Sequence, residues 1–338
     1  VDLMGTFTGD GALRALAGKP RLRQLKTGRN ITDAGLELLG GFPGFSNWQG
    51  GEEQYGLMTA DVSPSHLMLD GPFTGAGIAR LVSLAALQGL FGLSFFWHCS
   101  NITGDDLGPL IHLPNLGAFG CDGARCDDHA MRHIAAMPRL RKLMAQGTVA
   151  TDAGFGELSG SQAIEHIWGR ECPNLTGPGF AALAEMPSLR GLAVSCRNVD
   201  DAALSLLPRF PSLVELMPMD VSDDGFRHIG QCERLQSLWC MYCRETGDAA
   251  TEHIAGLSSL ESYYAGRTRI SDRSLEILST IQSLERIQLW GCDGVTDAGV
   301  AKLAGLSRLT GLVLDNLPGV TRRAATAFAP HVRVTYSG

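Results

Sequence analysis

The sequence predicts an α/β solenoid of about 12 to 13 repeats. Strand-like alternation of apolar residues, followed by helix-like apolar spacing, recurs along the 338-residue chain. The first apolar residue of the strand returns every 22 to 26 residues from Leu90 to Leu309. One such repeat cannot cover its own apolar face, so neighbouring repeats must stack. We therefore expect residues 1–338 to form a single domain.

The segment Leu284–Leu303 shows how one repeat is built. Leu284, Ile287 and Leu289 are spaced to bury one face of a short strand, and Thr296–Gly299 then opens a helix. The first strand residues of the recognisable repeats are Leu22, Leu90, Leu116, Leu140, Ile164, Leu189, Leu213, Leu235, Leu260, Leu284 and Leu309. The pattern predicts one strand and one helix for each of these positions.

The helix starts share a Thr or Ser followed by Asp. Examples are Thr32–Gly35, Thr151–Gly154, Ser222–Gly225, Ser271–Asp272 and Thr296–Gly299. A hydroxyl at this position accepts a hydrogen bond from a free helix N–H, and the Asp suits the positive end of the helix dipole. We interpret these residues as helix caps and not as a catalytic set.

Two parts of the chain depart from the repeat before its regular region. Residues 1–19 match only the helix half of a repeat, with no strand before it, and we expect the chain to begin inside a longer protein. Residues 42–84 read as degenerate repeats: Pro43–Trp48 resembles a strand start, Gln49–Gly56 breaks the pattern, and His66–Leu69 restores it. The break is either a binding loop on one face or drift in a terminal repeat.

The chain ends in residues 330–338, which we expect to form a last strand that covers the end of the stack. The net charge of −7 and the absence of a basic run argue against nucleic acid or an anionic membrane as the main partner. The nine cysteines are an odd number and fall mostly at equivalent repeat positions. They are therefore expected to be reduced and buried, as in a cytoplasmic protein.

Two local patterns could bind a metal. Cys240 and Cys243 have the spacing of a zinc or redox pair, and His129 and His133 lie four residues apart on a predicted helix. No second Cys pair completes the first site, and the histidines fit a surface row of the helices. We therefore expect no metal, no cofactor and no catalytic residue, although a metal-dependent or hydrolytic activity stays as a third hypothesis.

The residues from Leu284 to Leu303 resemble the cysteine-containing subtype of the leucine-rich repeat. The resemblance implies a right-handed horseshoe-shaped solenoid with a parallel sheet on its concave face and helices on its convex face. Proteins with similar repeats include the substrate-recognition subunits of F-box ubiquitin ligases and some bacterial proteins. An F-box is not visible in this sequence, and the Ala, Gly, Arg and Asp content favours a bacterial origin.

Strand residues that alternate with the core leucines are predicted to face the groove. Several are large and apolar, which is typical of protein interfaces. The predicted groove residues are Met144, Trp168, Met217, Trp239, Tyr264 and Trp290, with Arg170, Glu215 and Arg286 at the rim. A register shifted by one residue would bury all of them, and they could also pack only on one another.

The sequence therefore predicts a non-enzymatic scaffold that binds a protein or peptide in its groove. The alternative is a substrate-targeting module of a larger enzyme, such as a ubiquitin ligase or a bacterial effector. The pattern does not specify the partner or the oligomeric state.

Overall fold

The computed structural model describes residues 1–46, 65–241 and 243–337. The chain separates into two compact units, unit 1 from Val1 to Leu189 and unit 2 from Arg190 to Gly338. Each unit is a series of strand–helix repeats.

Unit 1 contains six strands that pair in parallel and in chain order. The strands are β1 Gln24–Lys26, β2 His66–Leu69, β3 Gly92–Phe95, β4 Ala118–Cys121, β5 Lys142–Met144 and β6 His166–Gly169. The α-helices are α1 Asp10–Leu16, α2 Asp33–Leu38, α3 Pro43–Ser46, α4 Gly75–Leu81, α5 Asp128–Ala135, α6 Asp152–Leu158 and α7 Gly177–Leu183. The 3-10 segments are Leu39–Gly41, Ala85–Leu87, Gly104–His112 and Gly123–Arg125.

Unit 2 repeats the same plan with seven parallel strands. The strands are β7 Gly191–Ser195, β8 Glu215–Met219, β9 Ser237–Met241, β10 Ser262–Gly266, β11 Arg286–Trp290, β12 Gly311–Asp315 and β13 Arg333–Ser337. The α-helices are α8 Asp201–Leu204, α9 Phe226–Ile229, α10 Asp248–Ile254, α11 Asp272–Leu278 and α12 Asp297–Lys302. The 3-10 segments are Leu207–Arg209, Leu303–Gly305 and Arg322–Ala327.

The core forms because equivalent apolar residues of successive repeats lie side by side. In unit 2, Ile287 pairs with both Tyr263 and Leu312, and all three are buried. Along each strand, the residues that alternate with these core residues point to the opposite sheet face and are less buried, as the alternating exposure of β9, β11 and β12 shows. The α/β leucine-rich-repeat solenoid predicted from the sequence is confirmed.

Aspartates at the helix starts join each repeat to the next one. The carboxylate of Asp272 accepts hydrogen bonds from the backbone N–H of Thr296 at 2.8 Å and from its hydroxyl at 2.6 Å. We call this recurring contact the Asp–Thr ladder. Its acceptors are Asp10, Asp33, Asp128, Asp152, Asp248, Asp272 and Asp297. The helix-start aspartates therefore do more than balance the helix dipole, because they bond repeats together.

The hydroxyl groups at the helix starts have two roles. The side chains of Thr151, Ser271 and Thr296 each accept a helix N–H at 3.2 Å, which confirms three of the five predicted caps. Ser222 does not cap its helix, because α9 begins only at Phe226, after Gly225. Thr32 and Thr176 make no such bond to their own helices. Their hydroxyls donate to the aspartate of the preceding repeat, so the contact between repeats is the more general role.

The glycine of the helix-start pattern makes room for the same carboxylate. A Cβ at Gly299 would overlap the carboxylate of Asp272 and lie 2.9 Å from its Cα. In α11 the equivalent residue is Ser274, whose hydroxyl donates to Asp248 at 2.5 Å. The Thr-Asp-x-Gly pattern is therefore a packing requirement between repeats.

The N-terminal region differs from its sequence-based description in two respects. Pro43–Ser46 forms the short helix α3 and not the start of a strand, and residues 47–64, which include the predicted break, lie outside the described residues. Asp2 pairs in parallel with Lys26 ahead of α1, so an extended residue does precede the first helix. The region resumes its repeat at β2, as predicted.

Candidate interaction surface on the strands of unit 2

The sheet face of unit 2 that points away from the helices is called here the strand face. Trp239 on β9 and Tyr264 on β10 are register partners, and their rings stack at a centroid distance of 3.5 Å and an angle of 10°. Both side chains are partly exposed. Parallel pairing holds neighbouring strands about 4.8 Å apart, which is close enough for flat rings on register partners to stack. The sheet therefore fixes a flat aromatic pair at this position.

A second aromatic ring lies further along the same strands. Trp290 of β11 leans over Gly266, where a Cβ would be 3.1 Å from its ring, and Met241 lies on the other side of that glycine. The guanidinium of Arg267 covers the indole at 4.4 Å from its centroid. Arg267, the first residue after β10, adopts a left-handed backbone with φ of 54°. The equivalent residues of the next two repeats, Gly291 and Asn316, do the same, with φ of 59° and 48°. This left-handed turn after β10 brings the Arg267 side chain back over the Trp290 ring.

Three arginines carry the positive charge of this face. Arg286 of β11 is exposed, and its Nε donates to the Ser262 hydroxyl at 3.0 Å. Gly311 separates Arg286 from Arg333 across β12, because the register pairs Arg286 with Gly311 and Gly311 with Arg333. The predicted rim residue Arg286 is therefore at the surface, as alternation requires.

One predicted groove residue is not available for binding. Met217 is only 2% exposed, which corrects its assignment to an open surface. Because Leu216 pairs with Leu238, Met217 and Trp239 are adjacent on neighbouring strands, and Ala193 pairs with Met217 on the other side. A methionine between flanking strands is covered by its neighbours. The predicted rim residue Glu215, two positions earlier, is partly exposed.

The remaining predicted residues belong to unit 1. Met144 and Trp168 are register partners on β5 and β6 and are partly exposed, and Arg170 makes an ion pair with Glu171 at 3.5 Å. Met144 also lines a cavity of about 320 Å³ together with residues from the first strands, among them Lys26. The indole N–H groups of Trp168 and Trp239 are buried without a hydrogen-bond partner in the described parts of the chain.

Other positions on the same strands of unit 1 are closed to solvent. Lys142 and His166 precede Met144 and Trp168 by two residues, and each is only 1% exposed. Alternation places them on the same sheet face of unit 1 as Met144 and Trp168, so register alone does not decide exposure.

The cysteines and histidines form no metal site in the described residues, where no three His, Cys, Asp or Glu side chains are placed to hold an ion. All nine cysteines are free and buried, as predicted. Burial raises the pKa of Cys243 to about 12, and its Sγ donates to the Pro218 carbonyl at 2.9 Å. Such a thiol is a poor ligand and a poor nucleophile at neutral pH. His129 instead bonds Asp105 at 2.8 Å.

Sequence reasoning missed Arg267 and Arg333 as parts of the surface. Arg267 was missed because alternation applies only to residues within a strand, and only the left-handed backbone after β10 brings Arg267 over Trp290. A signal does exist in the sequence, since the position seven residues past Leu260, Leu284 and Leu309 is Arg267, Gly291 and Asn316. Gly and Asn are typical of that conformation.

The repeat geometry and the partly exposed strand surface define an α/β leucine-rich-repeat solenoid. The sequence matches no model of a known protein family. Among solved structures, a chain in the crystal structure of the yeast Rad7 and Elc1 complex is similar, with a TM-score of 0.62 and 14% identity over 97% of this chain and 83% of that chain. An internalin, inlF of Listeria monocytogenes, is 15% identical over 75% of this chain and 82% of that chain, with a TM-score of 0.39. The Rad7–Elc1 likeness supports the fold alone.

In the part of the chain that the structure covers, no helix is both long enough and apolar enough to cross a bilayer.

Proposed function

We propose that the protein is a recognition scaffold that binds a protein or peptide on the strand face of unit 2. The observation that carries the proposal is the group of partly exposed rings on one sheet face: Trp239 stacked on Tyr264, and Trp290 beside them. Trp, Tyr and Arg are the residues that contribute most often to protein-binding hot spots. Strand-borne side chains are also held in place before binding, which reduces the entropy lost in a complex.

The unpaired indole N–H of Trp239 adds to this argument. A buried donor without an acceptor is unfavourable by about 1–3 kcal/mol. A partner that supplies a carbonyl or carboxylate after a small ring movement would remove that cost. Such a hydrogen bond would add to the affinity of a partner that covers Trp239.

The test is to select peptides from a phage-displayed random library on the immobilised full chain and to measure their affinities. Trp239→Ala should weaken binding by about 2 kcal/mol or more, because it removes a stacked anchor. Trp97→Ala is the matched control, since Trp97 is a 71% exposed tryptophan in unit 1. Unchanged affinity in Trp239→Ala, Tyr264→Ala and Trp290→Ala would refute the proposal.

A second candidate is the substrate-targeting module of a larger enzyme. The similar chain in the Rad7–Elc1 structure belongs to a complex with another protein, and the likeness covers 97% of this chain. The full reading frame and its neighbouring genes test this candidate. A fused or adjacent catalytic subunit that binds the purified chain would support it, and binding to none of them would argue against it.

The nine free, buried cysteines fit a reducing compartment. We therefore propose a cytoplasmic location for the scaffold. Fluorescence localisation of the tagged full-length protein tests this assignment.

A further inference from the structure

We propose that the strand face of unit 2 selects an acidic peptide segment, one in which carboxylates flank an apolar anchor. The inference rests on the proposed recognition function and specifies the chemistry of the partner. It starts from three exposed arginines, Arg267, Arg286 and Arg333, which surround the aromatic group on that face.

These three arginines differ from others in the same repeats. Arg269 pairs with Glu245 at 2.7 Å, Arg273 pairs with Glu252 at 2.5 Å, and Arg308 pairs with Glu285. Among the described residues, no carboxylate lies within ion-pair distance of Arg267, Arg286 or Arg333. The chain as a whole has a net charge of −7, and the strand face also carries Glu215 on β8 and Asp315 on β12. The three arginines that lack an ion-pair partner among the residues that the structure describes are therefore a local feature of the strands around Trp290.

Local contacts hold two of the guanidinium groups in place without neutralising them. The Ser262 hydroxyl accepts the Nε–H of Arg286, and the Trp290 ring lies under Arg267 at 4.4 Å. Both contacts restrict the side chain and leave its charge unbalanced. The nearest acid of β12, Asp315, already accepts the Ser337 hydroxyl at 2.6 Å. A guanidinium that is oriented but unpaired suits a carboxylate from outside.

The positions of the charges indicate the layout of the ligand. Arg286 and Arg333 lie at the beginning of their strands, with Gly311 between them leaving space above the sheet. Arg267 follows the end of β10, about 16 Å further along the strand direction at 3.3 Å per residue. The rings of Tyr264 and Trp290 lie between these ends. An extended segment of about five residues spans this distance, with acids at both ends and an apolar side chain on the rings.

The experiment uses peptides selected on the full chain and resynthesised with every Asp and Glu replaced by Asn and Gln. We expect the selected peptides to be rich in Asp and Glu around a Leu, Phe or Tyr, and the neutral versions to bind at least about ten-fold more weakly. Arg286→Gln with Arg333→Gln should cause a similar loss and should flatten the salt dependence of binding. Arg322→Gln, an exposed arginine in the last 3-10 segment, is the matched control and should bind as the wild type does.

The outcomes separate this inference from the proposed function. Acidic selectivity is overturned if the selected peptides require Trp239 and Trp290 but are neutral, or if their affinity is the same for the double arginine variant as for the wild type. Either result leaves the recognition function intact. Peptides that bind at least about ten-fold more tightly when their acids are replaced by phosphoserine overturn the carboxylate assignment in favour of phosphate. Binding that is insensitive to the tryptophan variants overturns both, whereas acid-dependent and arginine-dependent binding supports both. Circular dichroism of each variant confirms that it is folded.

Discussion

The Asp–Thr ladder and the strand face of unit 2 are built from the same repeats, yet their sequences behave differently. The ladder repeats one chemistry, because Asp248, Asp272 and Asp297 all bond the Ser or Thr of the following repeat. The side chains of the strand face differ from one strand to the next, since Tyr264 of β10 has Gln288 as its register partner on β11 and Gln288 has Val313 on β12. A ladder residue must meet the same partner chemistry in every repeat, whereas strand-face residues pack on partners that differ from one strand to the next. We infer that stability depends on the first surface and recognition on the second.

Of the two surfaces, the ladder gives the largest expected effect on stability, through the loss of one of its acceptors. Asp248 accepts hydrogen bonds from the N–H and hydroxyl groups of both Ser271 and Ser274. Asp248→Ala leaves these donors unsatisfied and should lower the free energy of unfolding by about 3 kcal/mol in urea titrations. Asp224→Ala, at an exposed residue of the preceding repeat, should change it by less than about 0.5 kcal/mol. Equal effects of the two variants would contradict the ladder's role.

The next effect tests the space left for the carboxylate. Gly299→Ala places a methyl group against Asp272 and should cost about 2 kcal/mol by overpacking. Gly305 has no atom within 4 Å of an added Cβ, so Gly305→Ala should leave the stability unchanged or raise it slightly. Thermal unfolding of the pair gives the comparison. Equal effects of Gly299→Ala and Gly305→Ala would show that the carboxylate can move aside.

A smaller effect is expected from acid. Burial tends to raise the pKa of Asp248, but hydrogen bonds from Ser271 and Ser274 outweigh it and hold the pKa below the ordinary value. The backbone and hydroxyl hydrogen bonds of Thr321 likewise lower the pKa of Asp297. A lowered folded-state pKa contributes stability that is present above the unfolded value of about 3.9 and is lost as pH falls through the folded value.

Urea titrations between pH 7 and pH 2.5 measure this loss. The stability of the wild type should be flat near neutrality and fall below about pH 4. Asp248→Ala should fall less steeply, because one of the responsible carboxylates is absent. A parallel pH profile for the variant would show that Asp248 does not contribute. Protonation keeps one acceptor oxygen, so acid should cost less per site than the alanine substitution.

The smallest stability effect is expected on the strand face. Trp290 is partly exposed and packs on Gly266 and Arg267, so Trp290→Ala should change the unfolding free energy by less than about 1 kcal/mol. The same variant should abolish most peptide binding. A large loss of stability together with unchanged binding would reverse the proposed division between the two surfaces. Phe180→Ala, at a buried residue of α7, provides the contrasting core variant and should cost about 3–5 kcal/mol.

The candidate surface was only partly predictable from the sequence. Trp239, Tyr264, Trp290 and Arg286 were placed on the correct face because strand side chains alternate. Met217 follows the same alternation but is buried, because side chains of the neighbouring strands cover it. Arg267 was missed because its position over Trp290 depends on a left-handed turn.

The sequence by itself determined the repeat, the strand positions and the buried leucines, because these follow from spacing within one short segment. It also contained the Thr-Asp-x-Gly pattern, but the partner of each aspartate lies in the next repeat, more than 20 residues away. Only the tertiary structure decided that contact, the cover over Met217 and the charges left unpaired around Trp290. Each of these depends on distances between strands and turns that meet only after the repeats have stacked.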